Sequence, residues 1–239
     1  MSFYNELEVL AIGEVVLEVD KMKDVVYFEN KIERALLREH VSRSVLNRIN
    51  DEIEDSSLTK DGYFYYLLGY LKFHLPNRSL EETLMTKKLF EKSIELDRKN
   101  PFTLYYLSFV FYDSMEYARA FETFSSIDNN YFVENDLKWR AHKVNEMIYC
   151  CQLSLSDNEK EFCGIISTAA DFFIDLIIDE NEENFNYPVD LISCIYRVVI
   201  KEKFNCKSIN KICDLMKALE LDEHYHLEFK QFQDSLTNY

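Results

Sequence analysis

Two stretches of this chain repeat the same small and bulky positions at a spacing that marks stacked helical hairpins. Thr86, Phe90 and Ser93 recur 34 residues on as Ala120, Phe124 and Ile127. The segment before them repeats at a spacing of 39: Tyr65, Leu68, Gly69 and Phe73 return as Leu104, Leu107, Ser108 and Tyr112. An insertion around His74, Leu75, Pro76, Asn77 and Arg78 accounts for the difference of five. A period in this range marks helix-turn-helix units that bury their apolar faces only against neighbours. Such stacks hold partners more often than they perform chemistry.

The chain around the repeats reads as helix throughout. Gly numbers 4 and Pro 3 in 239 residues, so few breakers interrupt the helices. Apolar residues at Ile32, Ala35, Leu36, Val41, Val45, Leu46, Ile49 and Ile53 predict one long amphipathic helix over 27–54. Further helices are expected over 62–75, 79–96, 101–113, 116–127, 135–153 and 159–178, with Pro101 at a first helical turn. The C-terminal third predicts helices over 188–203, 208–220 and 223–236. Residues 3–20 fit a helix or an alternating strand, and helix is favoured by everything downstream. The expected fold is all-α: stacked antiparallel hairpins, about 10 helices. An N-terminal helical segment (1–60), the repeat-like hairpins (61–134) and C-terminal hairpins (135–239) would form one continuous domain.

The repeated positions resemble the tetratricopeptide repeat, whose pattern runs from a bulky residue through Leu-Gly to an aromatic, then through a turn to Ala, an aromatic and Ala. The better copy is Asn100 to Tyr131, NPFTLYYLSFVFYDSMEYARAFETFSSIDNNY, with Leu104, Leu107, Phe111, Tyr112, Tyr117, Ala120 and Phe124 in place. Ser108 stands where the family has Gly, and Ile127 where it has its last Ala. The earlier copy, Gly62 to Pro101, keeps Leu68-Gly69 and Phe90 and carries the insertion. The resemblance implies a right-handed α-solenoid in which the first helix of each hairpin lines a concave, partner-binding groove. Carried over, those groove positions are Tyr63, Tyr66, Tyr70 and Phe73, then Phe102, Tyr105, Phe109 and Tyr112. All eight are aromatic in a chain that is 15% aromatic, so the groove would take an apolar helix or extended segment. Family members that grip a peptide carboxylate use Lys, Arg and Asn there, which excludes that subtype. The competing reading is that the chain fills its own groove, for instance with residues 28–54.

Charge supplies a second candidate surface. The formal net charge of -16 disfavours nucleic acid as a partner and suits a basic protein, although acidity also serves solubility. Asp171, Asp175 and Asp179, spaced by four, share a helix face, and Glu182 and Glu183 follow. This acidic face is either a second partner surface or a solvated face opposite Phe172, Phe173, Leu176 and Ile177.

No signal for chemistry emerges. Four glycines leave no phosphate-cradling loop, and neither GxSxG nor HExxH occurs. His224 and His226, two apart, point away from each other on a helix and make poor metal ligands. His142 and Cys150 lie on nearby turns but lack an orienting residue. No catalytic residue, metal or cofactor is expected. No apolar run reaches the roughly 20 residues that span a bilayer. The acidic N-terminal stretch lacks the basic start of a signal peptide, and the six cysteines include no CxxC. A cytoplasmic protein with reduced, inert thiols is therefore expected, of undetermined oligomeric state. The function expected is non-enzymatic protein binding, in its most concrete form an inhibitor or immunity protein that neutralises a basic toxin domain. The alternatives are a chaperone or adaptor for a client, and a self-associating scaffold.

Overall fold

The computed structural model describes residues 27–37, 41–97, 100–179, 190–195 and 206, with side chains 173–179 excepted. The described residues are all-α, as expected. Helix occupies 27–36 (α1), Arg43–Glu54 (α2), Gly62–Phe73 (α3), Leu80–Leu96 (α4) and Pro101–Asp113 (α5). Tyr117–Ser125 (α6), Asn129–Glu134 (α7), Lys138–Leu155 (α8), Glu159–Asp179 (α9) and 190–195 (α10) follow. Two compact units divide the chain, Met1–Val110 and Phe111–Tyr239. Residues 3–20 and most of the three C-terminal helices lie outside the described residues.

In the first unit, α3 and α4 form an antiparallel hairpin whose contact depends on a missing side chain. A Cβ on Gly69 would stand 2.7 Å from the Phe90 ring. Phe90 is completely buried, and Tyr106 of α5 stacks on it at 6.2 Å. The hairpin closes as tightly at its other end, where a Cβ on Gly62 would stand 2.6 Å from Asp97 Cβ. Ser93 of α4 donates to the Gly62 carbonyl at 2.7 Å and shares a 3.0 Å hydrogen bond with Thr103 of α5. One buried hydroxyl therefore joins three helices with its polar capacity satisfied. Helix starts are locally encoded. Asp61 accepts from Tyr63 N and Phe64 N, Asn100 caps α5 ahead of Pro101, and Ser79 with Glu82 closes a capping box on α4.

Each of the seven repeated pairs shares one burial state. Thr86 and Ala120, Phe90 and Phe124, Ser93 and Ile127, Leu68 and Leu107, and Gly69 and Ser108 are all buried. Tyr65 and Leu104, and Phe73 and Tyr112, are all half-buried.

The insertion between α3 and α4 is docked rather than looped out. Leu75 is buried, and Asn77 takes a φ of 53°. Arg43 of α2 donates to the Pro76 carbonyl at 2.6 Å and the Asn77 carbonyl at 2.9 Å, and pairs with Glu82. The Arg43 guanidinium, with the Ser79 amide, pulls the Glu82 carboxyl down from 4.5 to about 2.

The second unit is built on α8, which packs against α6, α7 and α9. Its core includes Phe124, Phe132, Val144, Met147, Phe162 and Ile166, all nearly inaccessible. Lys143 pairs with both Glu146 and Asp190, and Glu146, 3% exposed, accepts the Leu191 amide at 3.0 Å. Burial raises the Glu146 pKa and outweighs Lys143, while burial of Lys143 is outweighed by its two carboxylates, which hold it above the ordinary lysine value. A buried acid thus fixes α10 to α8.

Three expectations need correction. The long helix over 27–54 is interrupted: Leu37 is in a turn and Ser42 is extended (φ -91°, ψ 118°), its carbonyl starting α2 through Val45 N and Leu46 N. The short α7, capped by Asp128, lies in a stretch read as connection. The thiols are not all free, since Cys163 and Cys206 form a disulfide closing 43 residues, which by loop entropy stabilises by about 4 kcal/mol.

The close packing predicts opposite outcomes for two helical glycines. Gly69→Ala is expected to destabilise by about 1–3 kcal/mol through overpacking against Phe90. Gly164→Ala, where a Cβ meets nothing within 4 Å, should stabilise by about 0.5–1 kcal/mol. Urea denaturation measures both. Because the Glu82 pKa is depressed, its stabilisation is complete above pH 4.5 and is lost as pH falls toward 2. The stability gap between the parent and Arg43→Met should therefore be constant at neutral pH and shrink over that window, which denaturation midpoints measured against pH will show.

Candidate functional site

Within the first unit, aromatic side chains of α3 and of α5 up to Phe109 form one continuous ladder. Tyr66 stacks on Tyr70 at 5.8 Å with 12° between planes, and contacts Tyr63 at 5.6 Å and Phe102 at 6.4 Å. Tyr105 meets Phe109 edge-on at 5.0 Å. Tyr112, at the C-terminal end of α5, belongs to the second unit and lies against Tyr117 of α6 at 5.3 Å. Edge-on and offset ring pairs at these distances each add about 0.5–1.5 kcal/mol beyond area burial.

Two members of the ladder escaped the sequence reading. Tyr106 lies at its centre, 4.9 Å from Tyr70 and 5.1 Å from Phe73, and His74 packs edge-on against Tyr70 at 4.7 Å. Tyr106 corresponds to Leu67 at the 39-residue spacing, so the repeat carries no aromatic signal there.

Burial divides the eight groove residues. Tyr66, Tyr70 and Tyr105 are 5–6% exposed, whereas Tyr63, Phe73, Phe102, Phe109 and Tyr112 are half-buried. The α3 side is covered by α1, because Tyr70 donates its hydroxyl to Glu33 at 2.6 Å. The buried Tyr63 hydroxyl lies beside Glu29 without a hydrogen bond of ordinary geometry. Burial, then Tyr106 and Glu33, push the Tyr70 phenol well above its usual range; burial and Glu29 do the same at Tyr63. Both phenols stay neutral donors throughout physiological pH. The chain thus covers part of its own aromatic face, with residues from the segment proposed as a self-filling element. Phe102 and Phe109 stand half-buried on one face of α5.

The acidic series is only partly described. Asp171 is exposed on α9, and Asp175 and Asp179 belong to the same helix. Glu182 and Glu183 lie outside the described residues. A cleft of about 800 Å³ runs between α8 and α9, with Asn145, Tyr149 and Gln152 on one wall and Gly164, Thr168 and Phe172 on the other. It is separate from the aromatic ladder in sequence and in lining residues.

Among the described residues no group of three or more His, Cys, Asp or Glu is arranged to hold a metal ion. Cys150 is fully buried and its thiol is pushed well up by burial, with Cys194 adding to it. Cys151 is pushed up to about 12 by the same causes. Neither supplies a thiolate at neutral pH. No helix among the described residues is long and apolar enough to cross a membrane.

Comparison with protein families, curated proteins and solved structures returned no match to this chain.

Proposed function

We propose that this chain is a non-enzymatic protein-binding module that takes an apolar segment of a partner against the open edge of the α3–α5 aromatic ladder. In its most concrete form it is an inhibitor or immunity protein that neutralises a basic toxin domain. The observation that carries the reading is the split within the ladder. Buried Tyr66 and Tyr105 fix the rings in place, while Phe102 and Phe109 stand half-exposed on one face of α5. Preorganised rings lose little rotamer freedom on binding, which is what makes aromatic anchors effective.

The shared burial of all seven repeat pairs supports a tetratricopeptide-like arrangement, with α3–α4 and α5–α6 as its two degenerate hairpins. A net charge of -16 would steer a cationic partner and oppose nucleic acid. A folded toxin domain would be bound as a rigid body, whereas the client of a chaperone or adaptor would be bound as an extended segment. The Glu33–Tyr70 contact favours a second reading, a self-associating scaffold whose groove is closed by α1.

Alanine substitutions at two depths discriminate these readings. Tyr66→Ala should destabilise the fold by about 3–5 kcal/mol, since it empties a buried ring site. The double variant Phe102→Ala/Phe109→Ala should keep most of the stability yet lose the protein recovered by affinity capture from the native cell. If the double variant captures as the parent does, the binding-edge reading fails; if the parent recovers only copies of itself, the scaffold stands.

A further inference from the structure

The α1 helix that covers the tyrosines with one face builds something different with the other. Between α1 and α2 lies a cleft of about 400 Å³, within the size range of small-ligand sites. Its floor is apolar, formed by Ala35, Val45 and Ile49, of which Ala35 and Ile49 are buried. Its rim carries three cations, Lys31, Arg34 and Arg48, with the Tyr27 hydroxyl and the Asn30 amide as neutral donors. Among the described residues no carboxylate lines the cleft, in a chain holding 43 acidic side chains against 27 basic ones.

The cations are incompletely answered. Glu52 pairs closely with Lys31 and reaches Arg48 only at 4.0 Å, with the Arg48 side chain 70% exposed. Arg34 makes no ion pair with a described residue. Among the described residues, three positive charges against one carboxylate leave about two uncompensated. That matches a phosphomonoester, which carries about -1.5 to -2 at neutral pH, better than a carboxylate. Two guanidinium forks suit the oxygens of a phosphate, and the Lys31 ammonium, held at 3.1 Å from the Tyr27 hydroxyl, adds a point charge at the rim. The remaining acidity of the chain opposes this only weakly, because exposed charges beyond about 8 Å are screened at physiological salt.

We propose that the α1–α2 cleft is a binding site for a small organic phosphomonoester, whose phosphate is held by Arg34 and Arg48 and whose organic part rests on Ala35, Val45 and Ile49. The site is independent of the aromatic edge and stands whether or not that edge binds a protein.

Phenyl phosphate is the probe. Calorimetric titration of the full chain at constant ionic strength should show saturable one-site binding, tighter than for inorganic phosphate, which lacks the organic part, and tighter than for benzoate, which lacks the second charge. Arg34→Gln and Arg48→Gln should each weaken binding by about tenfold or more, the loss of charge-assisted hydrogen bonds. Lys88→Gln, on the exposed side of α4, should leave it unchanged. Both arginines are exposed, so the variants should keep the parent's circular dichroism. As a readout without substitution, two arginine side-chain NMR signals should shift on addition of phenyl phosphate to the parent. Absence of saturable binding, equal affinity for benzoate, or parent-like binding by either arginine variant overturns the proposal.

Discussion

The first unit depends on the Phe90 ring lying directly on the backbone of α3, which only the hydrogen of Gly69 permits. That approach brings α3 and α4 close enough for Ser93 to reach Gly62 and Thr103. It also presents the outer face of Phe90 to Tyr106, which becomes the hub of the aromatic ladder. The ladder's order is therefore inherited from a single close contact, because rings packed at interior density transmit displacement rather than absorb it. What a partner would meet at Phe102 and Phe109 is the exposed rim of that packed stack.

The helix α1 gives the unit its asymmetry. Its acidic residues Glu29 and Glu33 face tyrosine hydroxyls of α3, and its basic residues Lys31 and Arg34 line the cleft toward α2. Alternation of charge sign along a helix usually signals a solvated surface, but here each sign has a different neighbour. One short helix both closes half of the aromatic face and forms one wall of a cationic cleft. The break at Ser42 makes this geometry reachable, since a continuous helix over 27–54 would hold α1 and α2 collinear.

Much of the framework was legible because it recurs or is local. The repeat marked seven pairs that prove to share burial, and caps at Asp61, Ser79 and Asn100 sit where their side chains predict helix starts. The break at Ser42 had a signal too: the step of five from Leu36 to Val41 departs from the three-and-four spacing of the rest. Tyr106, the Lys143–Glu146–Asp190 network and the Cys163–Cys206 bond had none. Each joins residues distant in sequence through contacts that no periodicity encodes. Groove positions carried over from the repeat include most of the rings that touch one another between α3 and α5. Depth, which separates Tyr66 and Tyr105 from Phe102 and Phe109, was set by α1 and by neighbouring rings and could not be read from spacing.

Contact between the α5 edge and another protein can be trapped covalently in the native cell. A photo-crosslinking phenylalanine analogue in place of Phe109, with Lys88 as the control position, converts contact into an adduct whose mass identifies the neighbour. A protein-binding edge should give a discrete adduct with one heterologous protein at position 109 and none at position 88. Adducts formed only with a second copy of this chain, or equally at both positions, would contradict it.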